Sequence, residues 1–346
     1  MLKKTAVSVL FVFAGFASSA IATPLTATEV LQQFNVVVEG SIASTSTVQG
    51  RTYAGGAVAG GQYAQKGNNL PASAYAGLTT GGSVSGVHVN GKGAVVGGSI
   101  SGSIINSGDS VVRGSAASST FNGKAYVAGA SSGVNFNGGQ AANTAATPAM
   151  QAAADAANST NFAQVMDNLS QQLSLLTSTG SWVSISGNRA TFNAVADATG
   201  LAVFDLTLID TQLFGLGEFQ FNLGSATAVI FNTDNSSYNI SANFLGGSAH
   251  QLGSKAIWNF YNATSITTHS QFGGALLATD ALLNNNQEII GTVVVENLNQ
   301  KGAILQAGFG GTLPAPAAPT QSVPEPSVLL LMALALCAMA WCVRRR

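Results

Sequence analysis

Charge is what this sequence has least of: Asp, Glu, Lys and Arg make up 8% of 346 residues, against about a quarter in ordinary soluble domains. Five of the thirteen basic residues, Lys3, Lys4, Arg344, Arg345 and Arg346, sit at the two ends. Between residues 23 and 313, eight basic residues face thirteen carboxylates, a net charge of minus five. That balance argues against nucleic acid or anionic lipid as a partner. Cysteine is nearly absent, and Cys337 and Cys342 both lie close to the C-terminus. The chain before them therefore has neither a disulfide nor thiol chemistry. Histidine occurs three times, as His88, His250 and His269, never at metal-ligand spacing, so no metal or cofactor is expected. No Gly-Lys-Ser phosphate loop occurs, and Gly82-Ser83-Val84-Ser85-Gly86 has the letters of a nucleophile elbow shifted by one. The carboxylate pairs Asp205 with Asp210 and Glu288 with Glu296 have no strong base beside them, which suits turn or rim residues better than acid–base catalysis. No catalytic residue is expected.

Glycine is plentiful and phased. GGSVSG (Gly81 to Gly86) recurs sixteen residues later as GGSISG (Gly97 to Gly102), and another step of sixteen places Gly114 in line with Gly82 and Gly98. A repeat that short holds about three strands of four or five residues and is one coil of a β-solenoid. Glycines would mark corners, where φ is positive or the next coil comes close. Small and β-branched residues such as Val84, Val95 and Ile100 would fill a narrow interior. From Gly40 to Gly139 there are six charged residues and one carboxylate, Asp109. Tyr53, Tyr63, Tyr75, Phe121, Tyr126 and Phe136 fall in this half, and burial is the expectation for them.

The pattern breaks at residues 141–179, which contain no glycine. Thr147-Pro148 predicts a helix cap and first turn. Asn161 with Gln164 predicts a second helix, whose Phe162, Val165, Met166, Leu169, Leu173 and Leu176 form one apolar stripe ending at Gly180. This amphipathic insertion, about 147–178, should pack alongside the coils. Strands resume with more aromatics at 202–208, 219–223, 228–231, 238–244 and 256–261. One continuous solenoid interrupted by a helical arm is expected, its first coil capped by residues 27–34.

The ends carry targeting signals. Lys3 and Lys4, an apolar run from Ala6 to Phe16, and Ala20-Ile21-Ala22 predict a signal peptide over 1–22, cleaved after Ala22. Five of eight prolines lie between Pro314 and Pro326, which predicts an extended linker over 314–322. Behind it the apolar run 327–343, closed by Arg344 to Arg346, is long enough as a helix to cross a bilayer core, at roughly 25 Å. The arginines would remain cytoplasmic. Val323-Pro324-Glu325-Pro326 followed by that helix and basic end resembles the PEP-CTERM sorting signal of Gram-negative bacteria, over 323–346. The resemblance implies processing by an exosortase, a transient inner-membrane stage through the helix, and delivery to the cell surface or extracellular matrix after Sec export.

Several blocks in the body of the chain, Phe34 to Gly40, Gln49-Gly50-Arg51, Gly55-Gly56, Trp258-Asn259-Phe260, Gly273 to Ala278, Ile290 to Val293 and Phe309 to Leu313, resemble the choice-of-anchor A family. Membership implies an adhesive domain over 23–313 with a fold similar to the ice-binding β-solenoid and a helix lying along it. No catalytic residue comes with it. Thr279 departs from the pattern, standing where a turn proline is expected. The function expected is a non-enzymatic surface or matrix adhesin, associated with exopolysaccharide or other surface glycans. Two other readings make different demands. A polysaccharide-cleaving β-helix enzyme needs acids and bases gathered in one groove. An ice binder needs ranks of Thr-x-Thr on a flat face, whereas only Thr79-Thr80 and Thr267-Thr268 pair up.

Overall fold

The computed structural model describes residues 22–314, so the expected signal peptide and apolar C-terminal helix lie outside the described residues. No helix among the described residues is long and apolar enough to cross a membrane. The 22–312 body is mainly β, a three-sided parallel solenoid. Its first and second sides belong to one nineteen-stranded sheet, because the long strands Ala275–Asn285 and Val293–Gln300 run round the corner between them. The third side is made of shorter sheets.

The sixteen-residue step is confirmed by register: Val84 pairs with Ile100 and Ile100 with Ala116, while Val89 pairs with Ile105 and Ile105 with Phe121. From Leu78 to Phe136 the strands are shorter than expected, two or three residues each, because the corners take up the rest of each coil. Two glycine columns turn those corners for different reasons. Gly82, Gly98, Gly114 and Gly129 hydrogen-bond coil to coil, each amide donating to the preceding glycine carbonyl at 2.9 Å for the last three. A Cβ on Gly114 would stand 2.7 Å from the Gly98 carbonyl, a separation real side chains do not show. Gly86, Gly102 and Gly133 instead have positive φ, and Ser118 takes the same conformation at φ 48°.

One expectation fails in an informative way. The stack is continuous, but its spatial order is not the order of the sequence. Phe34–Val38, the first strand, lies mid-stack, between Arg51–Ala54 on one side and 293–295 on the other. From there the coils climb to Ala125–Val127. The helical arm carries the chain back, and the coils from Leu201–Asp205 return to the middle, closing on the first strand. Helix α1 (Ala27–Gln33) therefore caps no end of the stack; it sits at the junction, where the Phe309 amide donates to the Leu31 carbonyl. Buried polar side chains stitch this seam. Asn35 donates to the Gly291 carbonyl at 2.6 Å and the Leu305 carbonyl at 3.1 Å, and accepts from the Gly50 amide at 3.0 Å. The Thr292 hydroxyl lies 3.1 Å from the Leu31 carbonyl and 3.0 Å from that of Phe34.

Helix α2 (Pro148–Ala156) starts where expected, with Thr147 accepting from the Met150 amide. The Thr147 hydroxyl also donates to Asp109, which gives that solitary carboxylate a structural task. Helix α3 (Phe162–Ser174) is capped by Asn161, which accepts from the Gln164 amide, but it ends six residues before Gly180. Both helices lie against the outside of the first side, so strands such as Phe34–Val38 and Ala94–Val96 are buried on both faces. Asn259 docks α3: its amide donates to the Ser170 carbonyl and to Asn232, and it accepts from the Ser170 hydroxyl. The interior changes character along the stack. Valine, isoleucine and alanine fill the glycine-rich half, whereas Trp258, Phe231, Phe192 and Phe219 fill the other. Trp258 stacks on Phe231 at 3.9 Å. No turn occurs at Thr279; the strand runs on through a bulge between Ala278 and Leu282.

Candidate contact surfaces

Parallel strands stack about 4.8 Å apart, so one position on each coil becomes a column along the molecule. On the second side the outward columns are exposed and made of small residues: Ser85, Ser101 and Ala117 in one, Ser83, Ser99 and Ser115 in the other. The second column is held internally, since the Ser99 amide donates to Ser83 and the Ser115 amide to Ser99, both at 3.1 Å. The resulting face is flat, uncharged and short-sided. It carries no threonine ranks. Thr79 points outward beneath the helices, Thr80 bonds the Gly56 carbonyl, and Thr268 is buried.

The histidines stay apart and exposed, and no group of three or more metal-ligating side chains occurs among the described residues. Asp205 and Asp210 do not work as a pair. Asp210 is buried and taken up by Asn235 and the Tyr238 hydroxyl, while exposed Asp205 caps its own turn through Thr207. Glu288 accepts from Gln271, and Glu296 belongs to the seam. Arg51 is 1% exposed and anchors the excursion that lengthens its coil, donating to the Tyr75 and Pro71 carbonyls. Burial lowers its pKa to about 10. Of the six aromatics in the glycine-rich half, Tyr63, Tyr75 and Phe121 are buried, and Tyr53, Tyr126 and Phe136 are half-buried. Tyr53 lies outside the coils, stacked on Phe162 of α3 at 4.0 Å.

One group of like charges was not legible in the sequence. The parallel register sets Glu39 beside Glu296, with Asp280 of the bulge and Asp167 of α3 near them. Burial first, and then those three carboxylates, raise the Glu39 pKa from 4.5 to about 7. The folded chain therefore holds a proton here that the unfolded chain has lost, so the contribution of this group to stability is greatest below 4.5, falls as pH rises, and levels off above 7. With the screening of a partly solvated site the fall is about 1–2 kcal/mol. Glu39→Gln is expected to flatten it, as read by denaturant titrations at about pH 5 and pH 8; an unchanged fall between those two pH values would place its cause elsewhere.

Comparison with known families settles the class. Residues 27–306 match the family described as "Putative Ice-binding-like adhesive domain". The chain belongs to this adhesive-domain family. In its terms the motif residues read as structure: Asn35 closes the seam, Arg51 pins an excursion, Asn259 docks a helix, and Gly273 accepts the Trp258 indole N–H at 3.0 Å. Residues 322–346 match the PEP-CTERM protein-sorting motif, which implies exosortase processing and export to the cell surface for this adhesive-domain protein. Val323 to Pro326 and Arg344 to Arg346 fall inside that match but outside the described residues. A solved structure, the crystal structure of an ice binding protein from an Antarctic bacterium Flavobacteriaceae, is similar at 10% identity and TM-score 0.29, covering 84% of this chain and 100% of that one. Comparison with curated proteins gives no match.

Proposed function

We propose that the chain is an exported, exosortase-processed surface or matrix protein whose 23–313 domain makes adhesive contacts without catalysis, with exopolysaccharide or other surface glycans as partners. The observation that carries this reading is the succession of matches, an adhesive domain over 27–306 followed directly by a sorting motif over 322–346. On it, residues 1–22 are removed at Ala20-Ile21-Ala22, 314–322 act as a spacer, and 323–346 are cut after a passage through the inner membrane. The scaffold supports contact over turnover. It is a stack of short coils presenting a broad uncharged face, and within the carboxylate group at the seam Glu39 keeps one oxygen buried in the protein, away from any glycosidic bond. Polysaccharide cleavage would need an acid and a base on either side of one bond.

The test is localisation. Deleting Val323 to Arg346, or replacing Pro324, Glu325 and Pro326 by alanine, should move most of the protein from the surface to the periplasm. With the triple substitution, intact-mass measurement should find the tail uncut. A surface fraction equal to wild type would overturn the sorting role. Release of reducing ends from neutral or acidic polysaccharides by the purified domain would overturn the non-catalytic one.

A further inference from the structure

We infer that the groove between α2 and the outside of the first side binds a short stretch of uncharged polysaccharide, an inference that rests on the glycan-contact reading above. Two cavities, of about 700 Å³ and about 240 Å³, adjoin there, and Arg113 and Asn158 line both. Each is close to or within the size range of small-molecule sites, about 300–1,000 Å³. The floor is sheet and one wall is α2 with the turn after it. Tyr126 lines one cavity and Tyr53 the other, both half-buried, so each offers part of a ring to a ligand. The register carries Tyr53 to Thr79, Val95, Val111 and Tyr126 on successive strands. At coil spacing the tyrosines stand about 19 Å apart, room for roughly three to four pyranose rings.

The polar lining fits hydroxyl groups better than charges. Asn158 and Asp155 are exposed, Gln151 reaches Asp155 at 2.8 Å, and Arg113 is the single cation against the single carboxylate. Thr79 is 2% exposed, lines the smaller cavity, and has a hydroxyl with no partner in the protein. A buried hydroxyl left unpaired costs free energy that a hydrogen bond from a ligand would recover. Partly exposed aromatic surface beside such donors and acceptors stacks on the C–H faces of sugar rings while the hydroxyls are hydrogen-bonded at the rim. A charge-balanced groove gives no advantage to a polyanion. The larger cavity is also lined by Ala22, the last residue of the expected signal peptide, so the protein to test begins at Thr23.

Soluble neutral hexose and pentose oligosaccharides, with uronate oligomers of matching length beside them, should be titrated into the 23–313 domain by calorimetry. At least one neutral oligomer is expected to bind with little salt dependence. Tyr126→Ala, and separately the exposed pair Asp155→Ala with Asn158→Ala, are each expected to weaken it by about tenfold or more, and Ser85→Asn with Ser101→Asn on the second side to leave it unchanged. The exposed pair keeps the test decisive should Tyr126→Ala fail to fold. Binding that survives both groove variants overturns the groove and leaves the glycan-contact reading standing. Binding to uronates alone, abolished by salt, overturns the ligand class. No binding by the wild-type domain to any member overturns this inference together with that reading.

Discussion

Replacing Asn35 by alanine is expected to cost the domain about 3–4 kcal/mol, with a matching fall in the denaturation midpoint at unchanged slope. Asn35 is 1% exposed, and its one amide reaches three other stretches of chain, at Gly50, Gly291 and Leu305. Alanine would leave the Gly50 N–H and the Gly291 carbonyl dry and unpaired, and an orphaned buried group costs about 1–3 kcal/mol. The comparison is Asn299→Ala. Asn299 also reaches a neighbouring coil, donating to the Asn284 side chain at 3.0 Å, but in water. That change should stay within about 0.5 kcal/mol. Equal losses from the two substitutions would show that the seam is no more tightly held than any other rung.

The two glycine columns yield the second large effect. Gly114→Ala puts a Cβ at 2.7 Å from both carbon and oxygen of the Gly98 carbonyl, backbone atoms that cannot rotate away. Coils would have to part or shift, at about 3 kcal/mol. Gly102 lies in the positive-φ column with nothing within 4 Å of its would-be Cβ. Only conformational preference opposes alanine there, at about 1 kcal/mol. Gly102→Asn should be nearly neutral, since asparagine tolerates that conformation and Ser118 already occupies the equivalent corner. Thermal melts of the three variants decide the matter. Similar losses at Gly102 and Gly114 would mean that one cause governs both columns.

What the sequence disclosed and what it withheld divide along the range of the interactions. The sixteen-residue phase, the caps at Thr147 and Asn161 and the burial of Tyr63 and Phe121 are decided by neighbours along the chain or one coil away. Such regularities repeat or carry a local signature. The pairing of the first strand with residues 293–295 does neither. Asn35 and Gly291 are 256 residues apart, and both flanks of the junction are valine runs that would suit many partners. For the same reason the carboxylates around Glu39 read as four scattered acids, and Tyr53 and Tyr126 as two of six unplaced aromatics. α3 ends at Ser174 instead of Gly180 because Leu175 already points into solvent at 78% exposure, beyond the stretch that the first side can cover.

The mid-stack position of the first strand bears on how the domain is made. A translocating chain delivers its coils from the centre outward, then delivers the far end, and supplies the strand that mates with the opening one only after nearly everything else has emerged. Until then Val36, Val37 and Val38 present a bare parallel edge, the kind of template on which strands from other molecules add. The first strand thus waits for a keystone: the stack cannot close coil by coil in chain order, and that edge is covered only when residues 293–295 arrive.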